Sequence, residues 1–178
     1  MCCWLLLVDF ALCDNCWQPG LCTPEGTTCS LLGIKPHEIN QLGVSRVFQT
    51  PEIFGDLTVL DNVMIPGFAR RDGAFRINAW NPVRRKGPIA EKAMAMLKDV
   101  GLDGKADQVA GQLSRGDKRR LELAMCVVQD PKLLLLDEPT AGMSRADTNK
   151  TIELMQTIAK RGVTMVVIEH DMHVVFSL

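Results

Sequence analysis

The clearest pattern in the chain is a pair of unbroken apolar runs, Leu133-Leu134-Leu135-Leu136 and Met165-Val166-Val167-Ile168, each followed at once by polar, ionisable side chains. A continuous run of this length predicts a strand covered on both faces, as in a parallel sheet. Between the runs the spacing changes. Ile152, Met155, Ile158 and Ala159 recur at helical steps, with Ser144 as cap, Asp147 three positions on and Gly162 as terminator. This predicts a helix over 145–161. Strand, helix and strand of these lengths form a right-handed crossover between parallel strands, which delivers both polar ends to one edge of the sheet.

The segment Leu113-Ser114-Arg115-Gly116-Asp117 predicts another helix start, with Ser114 as N-cap and Asp117 completing an approximate capping box. Leu121, Ala124, Met125 and Val128 then share one face, and Pro131 marks the stop. Upstream, residues 42–49 predict a short strand with Val44, Val47 and Phe48 as its apolar positions. It closes at Gln49-Thr50-Pro51, because proline cannot continue a ladder. Residues 58–112 are expected to be mostly helical, most clearly over 89–100, where Ile89, Ala93, Met96, Leu97 and Val100 face one way. The expected class is α/β, a parallel sheet flanked by helices with a helical subdomain.

Asp137 and Glu138 end the first apolar run, at the edge of an open α/β sheet where ligands bind. Asp137 is placed to hold a magnesium ion, directly or through water, and Glu138 to orient or deprotonate a water. His170 closes the second run and would donate to a phosphate oxygen or position the water. His37 and His173 have no such context and are read as incidental. The helix start at Ser114 offers free N–H groups to a phosphate. Taken alone, an ordinary helix cap is the simpler reading of it.

Charge adds little: 20 basic and 21 acidic side chains give a net −1, so there is no electrostatic case for nucleic acid. No apolar run approaches the roughly 20 residues of a membrane span, and Lys35 is the first basic residue, so no signal peptide is expected. The bulk of the chain reads as cytosolic, with membrane contact through a partner. The connector over 70–86 is basic (Arg70, Arg71, Arg76, Arg84, Arg85 and Lys86) and reads as a solvated face, the alternative being a contact with lipid head groups or a membrane partner.

Residues 1–32 differ from the rest, holding Cys2, Cys3, Cys13, Cys16, Cys22 and Cys29 and no lysine or arginine. A zinc site would repeat the Cys13/Cys16 pair or add histidines at regular spacing, and disulfides do not suit a cytosolic chain. The expectation is an atypical, non-native segment of the kind a wrong start or a shifted frame produces.

Gln49, Leu113-Ser114-Arg115-Gly116-Asp117, Leu133 to Glu138 and His170 together resemble, in order and rough spacing over residues 33–178, the Q-loop, signature loop, Walker B strand and switch histidine of an ATP-binding cassette (ABC) ATPase. Val47-Phe48-Gln49-Thr50-Pro51, Leu57-Thr58-Val59-Leu60-Asp61-Asn62-Val63 and Ile168-Glu169-His170-Asp171-Met172 resemble the ATPase subunit of branched-chain amino-acid importers, with urea and short-amide importers similar. The resemblance implies a partial P-loop NTPase fold. Residues 33–57 would be the Q-loop part of the core, 58–112 the helical subdomain, and 113–178 the signature, Walker B and switch part.

It also implies that two such subunits, alike or different, sandwich two ATP molecules. Ser114, Arg115, Gly116 and Asp117 would then border ATP held mainly by the opposite subunit. Gln49 and Asp137 would attend magnesium, Glu138 would be the catalytic base and His170 its partner near the γ-phosphate. Implied partners are membrane permease subunits and, indirectly, a substrate-binding protein, with the chain peripheral on the inner face of the cell membrane.

Departures bear on the mechanism. The usual L-S-G-G-Q carries Arg115 and Asp117 here, and the D-loop, usually ending Leu-Asp, reads Met143-Ser144. No G-x-x-x-x-G-K-[ST] run occurs; Gly101 to Lys105 is the nearest approach and lacks the spacing. The family places that loop upstream of the Q-loop, where the cysteine-rich segment stands. With no tyrosine in the chain, an adenine-stacking aromatic is not identifiable. The expectation is an energy-coupling ATPase subunit in truncated or frame-damaged form, whose sheet exposes apolar surface and unpaired edges. The alternative is a non-catalytic module docking on membrane subunits through residues 50–69.

Overall fold

The computed structural model describes residues 4–7, 33–72 and 87–178. The Cys13/Cys16 pair and the connector arginines Arg76, Arg84 and Arg85 lie outside the described residues.

Four strands form one sheet in the order β1-β4-β3-β2. They are β1 (Trp4–Leu7), β2 (Val44–Val47), β3 (Leu133–Asp137) and β4 (Thr164–Glu169). β2 and β3 pair in parallel, Val44 opposite Leu133 and Val47 opposite Leu136. β3 and β4 pair in parallel as well, Leu133 opposite Thr164 and Asp137 opposite Ile168. The carboxyl ends of all three therefore share one rim, as the crossover argument requires. β1 departs from expectation: it runs antiparallel along the outer side of β4, Trp4 opposite Glu169 and Leu7 opposite Val166. The sheet is therefore mixed, and β4 is paired on both sides.

Helices α1 (Pro36–Gln41), α2 (Val59–Asp72), α3 (Pro88–Asp99), α4 (Arg115–Val127), α5 (Arg145–Lys160) and α6 (Met172–Ser177) complete the chain, with 3-10 turns at Asp103–Lys105 and Ala110–Gln112. Arg70 and Arg71, assigned to a connector by sequence, belong to the last turn of α2, where basic groups suit the dipole. Their guanidiniums bond the Gln41 carbonyl (2.6 Å) and the Asp72 carboxylate (2.6 Å). In α4 the Ser114 hydroxyl accepts from Asp117 N–H (3.1 Å), and in α5 Ser144 accepts from Asp147 N–H (3.2 Å), the caps read from sequence. Gly162 ends α5 in the left-handed region, φ +84°.

Alternation along the strands divides the sheet into two unequal faces. Leu134, Leu136 and Met165 are buried in one cluster with Val63, Leu97, Leu121 and Met155, so α2, α3, α4 and α5 share a core with the sheet. On the other face Leu135, Val166 and Ile168 are only half-buried. On α5, Leu154 is buried and Ala159 is exposed, which moves the inward stripe one step from the sequence reading.

Candidate functional site

The rim gathers three of the residues singled out by sequence. Gln49, just past β2, donates its carboxamide to Glu138 Oε2 at 3.0 Å. Glu138, just past β3, presents its other oxygen, Oε1, to His170 Nδ1 at 3.3 Å. His170 follows β4 directly. Residues distant in sequence thus meet at one carboxylate because three parallel strands end together. Glu138 is also one of two described non-glycine residues with positive φ, at +46°. A left-handed backbone at a charged residue is sparsely populated and costs energy.

Asp137 lies beside this set rather than in it. Its Oδ2 is 3.4 Å from Arg46 Nη2, and the Arg46 guanidinium also sits over the Phe48 ring, 4.9 Å from its centroid. The Arg46–Asp137 pair is exposed, and such pairs hold only about 0–1 kcal/mol. Carboxylate and carboxamide oxygens are the hard donors magnesium takes, and a weak ion pair is readily displaced. No group of three or more metal-ligating side chains occurs among the described residues. Asp137 and the Gln49 carboxamide would offer oxygens of the kind magnesium takes, and such an ion would need its remaining ligands from outside these side chains. The phosphates themselves find no glycine-lysine loop in this sequence.

The turn after β3 is fastened from two sides. Thr140 donates its N–H (3.0 Å) and hydroxyl (2.7 Å) to Glu169 Oε1, a buried carboxylate at the end of β4. From the other side comes Arg119 of α4, only 2% exposed. Its guanidinium donates to the carbonyls of Asp137 (2.9 Å), Glu138 (3.0 Å) and Pro139 (3.0 Å), to the Phe48 carbonyl, and to Glu122 (2.7 Å). Sequence reasoning missed Arg119, Glu122 and Glu169. The only signal was a charged pair at i,i+3 bordering the apolar stripe of α4, which does not reveal burial. Burial pushes the Glu122 carboxyl up despite the Arg119 guanidinium beside it. Burial also drives the Cys126 thiol up to about 12, so this free cysteine stays protonated and unreactive.

Ser114, Arg115 and Gly116 form a separate group at the start of α4. A Cβ on Gly116 would stand 2.8 Å from Asp147 Cγ, and one on Gly142 (φ +67°) 2.7 Å from Arg115 Nη1. The start of α4 is therefore packed onto the segment that leads into α5. Ser114 and Arg115 are exposed there, but Asp117 is not. Its side chain is 7% exposed and bonds Lys105 Nζ (2.6 Å) and Arg120 Nη2. The structure corrects the expectation for Asp117: its carboxylate faces the interior and is not free to border a nucleotide.

That placement has a pH consequence. Burial opposes ionisation of Asp117, but Lys105 and Arg120 outweigh it and hold the carboxyl below its usual range. A depressed carboxyl stabilises the fold above its unfolded pKa, and the contribution is lost as pH falls through the folded value. Glu122, raised, has the opposite dependence. Asp117→Asn is expected to lower stability at neutral pH and to flatten the loss of stability as pH falls below the ordinary carboxylate range, measured by urea unfolding at neutral and acid pH. An acid limb as steep as the parent's would contradict the assignment.

A pocket of about 200 Å³ opens beside the rim, lined by Thr140, Gly142, Arg145, Asn149, His170 and His173. His173, which had no role in sequence, lines it and lies 3.3 Å from Asn149 Oδ1.

A sequence profile of the ABC transporter family matches residues 20–141, beginning inside the segment 1–32 and upstream of Gly33. The high-affinity branched-chain amino acid transport ATP-binding protein LivG of Salmonella typhimurium is 32% identical over 173 residues, covering 92% of this chain and 68% of that protein. The corresponding BraF protein of Pseudomonas aeruginosa is 33% identical over 170 residues, covering 91% and 65%. Among solved structures, the ADP conformation of the ATP-binding cassette MJ1267 of an ABC transporter aligns with TM-score 0.63 at 28% identity, over 77% of this chain and 54% of that one. The chain thus spans between about half and two thirds of the proteins it resembles.

Proposed function

This chain belongs to the ABC transporter family, and from that premise we propose that it carries the hydrolytic rim of an ATP-driven energy-coupling subunit without the loop that grips the phosphates. The observation that carries this reading is the single carboxylate of Glu138 meeting both Gln49 (3.0 Å) and His170 (3.3 Å) where three parallel strands end. Glu138 is oriented to take a proton from a water beside the terminal phosphate of ATP, and His170 to hold the geometry of that water or phosphate. Asp137 and Gln49 supply oxygens toward magnesium, which when bound offsets phosphate charge. Ser114 and Arg115, exposed at the start of α4, would border a nucleotide shared with a second ATPase subunit, alike or different, while Gly116 is buried against Asp147.

The names of the relatives favour branched-chain amino acids, or related amides, as the transported class. Membrane permease subunits would be the direct partners, a substrate-binding protein the indirect one, and the inner face of the cell membrane the location. No described helix is long and apolar enough to cross a membrane. A second reading, a non-catalytic docking module, draws support from Phe48, Phe54 and Leu57, which stand 47%, 49% and 38% exposed in the stretch after β2.

The test is a chimera in which residues 1–32 are replaced by the phosphate-loop segment of a LivG protein. It is expected to release phosphate from ATP, and Glu138→Gln to lower that rate by about 10²–10⁴-fold. A chimera that hydrolyses ATP equally well with Glu138→Gln would remove Glu138 from the mechanism. One that binds the permease but not ATP would favour the docking reading.

A further inference from the structure

The guanidinium of Arg119 has five N–H groups, and each finds an acceptor. Four of those acceptors are backbone carbonyls from two segments, Phe48 on one side and Asp137, Glu138 and Pro139 on the other; the fifth is Glu122. Glu122 in turn accepts from the Phe48 N–H at 3.3 Å. Both backbone polar groups of Phe48, the residue before Gln49, are thus held by one ion pair. The three successive carbonyls around Glu138 are turned inward by the same group, at the place where the backbone takes its left-handed step.

We propose that Arg119 is a positioning residue, holding the Gln49 segment and the Glu138 turn in fixed register so that carboxamide, carboxylate and imidazole meet. A merely structural buried pair would bond side chain to side chain, and apolar residues often replace such pairs without loss. Here only one of five bonds goes to a side chain. Lysine cannot replace this fork, since an ammonium is a point charge with three donors. The inference rests on reading Gln49, Glu138 and His170 as one reacting set, but its test needs no nucleotide, so it can fail or stand independently of ATP hydrolysis by the chimera.

The experiment compares the full chain with Arg119→Lys by amide hydrogen exchange and by the imidazole NMR signals of its three histidines. A charge-assisted hydrogen bond lost from a carbonyl corresponds to roughly tenfold or more. Exchange over residues 46–50 and 137–140 is therefore expected to quicken about tenfold in both segments together, with α2 and α3 unchanged. The His170 signal is expected to move to where Glu138→Gln places it, while His37 stays. Unchanged exchange, uniform acceleration along the chain, or quickened segments with His170 unmoved would each overturn the proposal. If Arg119→Lys does not fold, Glu122→Gln decides. It leaves the four carbonyl bonds intact and is expected to leave the His170 signal in place. A displacement as large as that in Glu138→Gln would show that the carbonyl bonds are not what positions the set.

Discussion

Titrated with magnesium and ATP in a calorimeter, the 178-residue chain is expected to show no micromolar binding. Micromolar affinity is about −8 kcal/mol, and charge-assisted hydrogen bonds contribute about 1.5–3 kcal/mol each. A glycine-rich loop with its lysine supplies several such bonds to the phosphates at once, and this sequence has no such run. What the rim offers instead is two carboxylates, Asp137 and Glu138, which repel phosphate until a cation intervenes. The Arg119 guanidinium is spent on backbone carbonyls, and the exposed guanidinium of Arg46 is already turned to Asp137. Three lost bonds account for about 5–9 kcal/mol, enough to move affinity from micromolar to millimolar or weaker. A fitted micromolar dissociation constant would mean that phosphate is gripped by groups other than a glycine-lysine loop.

Leu134→Ala is expected to destabilise the fold by about 2–5 kcal/mol. Leu134 sits in the middle of β3, paired with Ser45 of β2 on one side and Met165 of β4 on the other, and has no exposed surface. Truncation removes the transfer energy of the side chain and leaves a cavity that two flanking strands cannot close. Against a total stability of about 5–15 kcal/mol, that is a large fraction. Leu135→Ala, one residue along on the half-buried face, is expected to cost less than half as much. Urea unfolding of both variants measures the difference. Equal effects would mean that the two faces of the sheet are covered alike.

The parallel part of the fold was legible because period and punctuation agreed. Leucine runs, serine caps and Gly162 are local signals, and the crossover rule turns them into a shared rim. The approach of Glu138 and His170 followed from the crossover topology, whereas Gln49 was named only by the family resemblance. What local signals could not carry was the inside of α4. Asp117, Arg119 and Glu122 are charged, and charge alone predicts exposure. They are buried because each is paired, and besides Arg120 of α4 itself the partners (Lys105 and the carbonyls of residues 48 and 137–139) come from other elements. Asp117 looked like a group facing phosphate for the same reason. The direction of β1 was equally hidden, since four consecutive residues fit either orientation against β4.

That direction limits where a phosphate-gripping loop could be joined to this sheet. A phosphate-gripping loop must leave its strand at the same end of the sheet as Glu138 and His170. β1 begins opposite Glu169 and ends opposite Val166, so it runs against the direction of its neighbours. Writing glycines and a lysine into the sequence after Leu7 would install the right chemistry on the wrong shore. A loop on the Glu138 rim calls instead for a strand that runs parallel to β4.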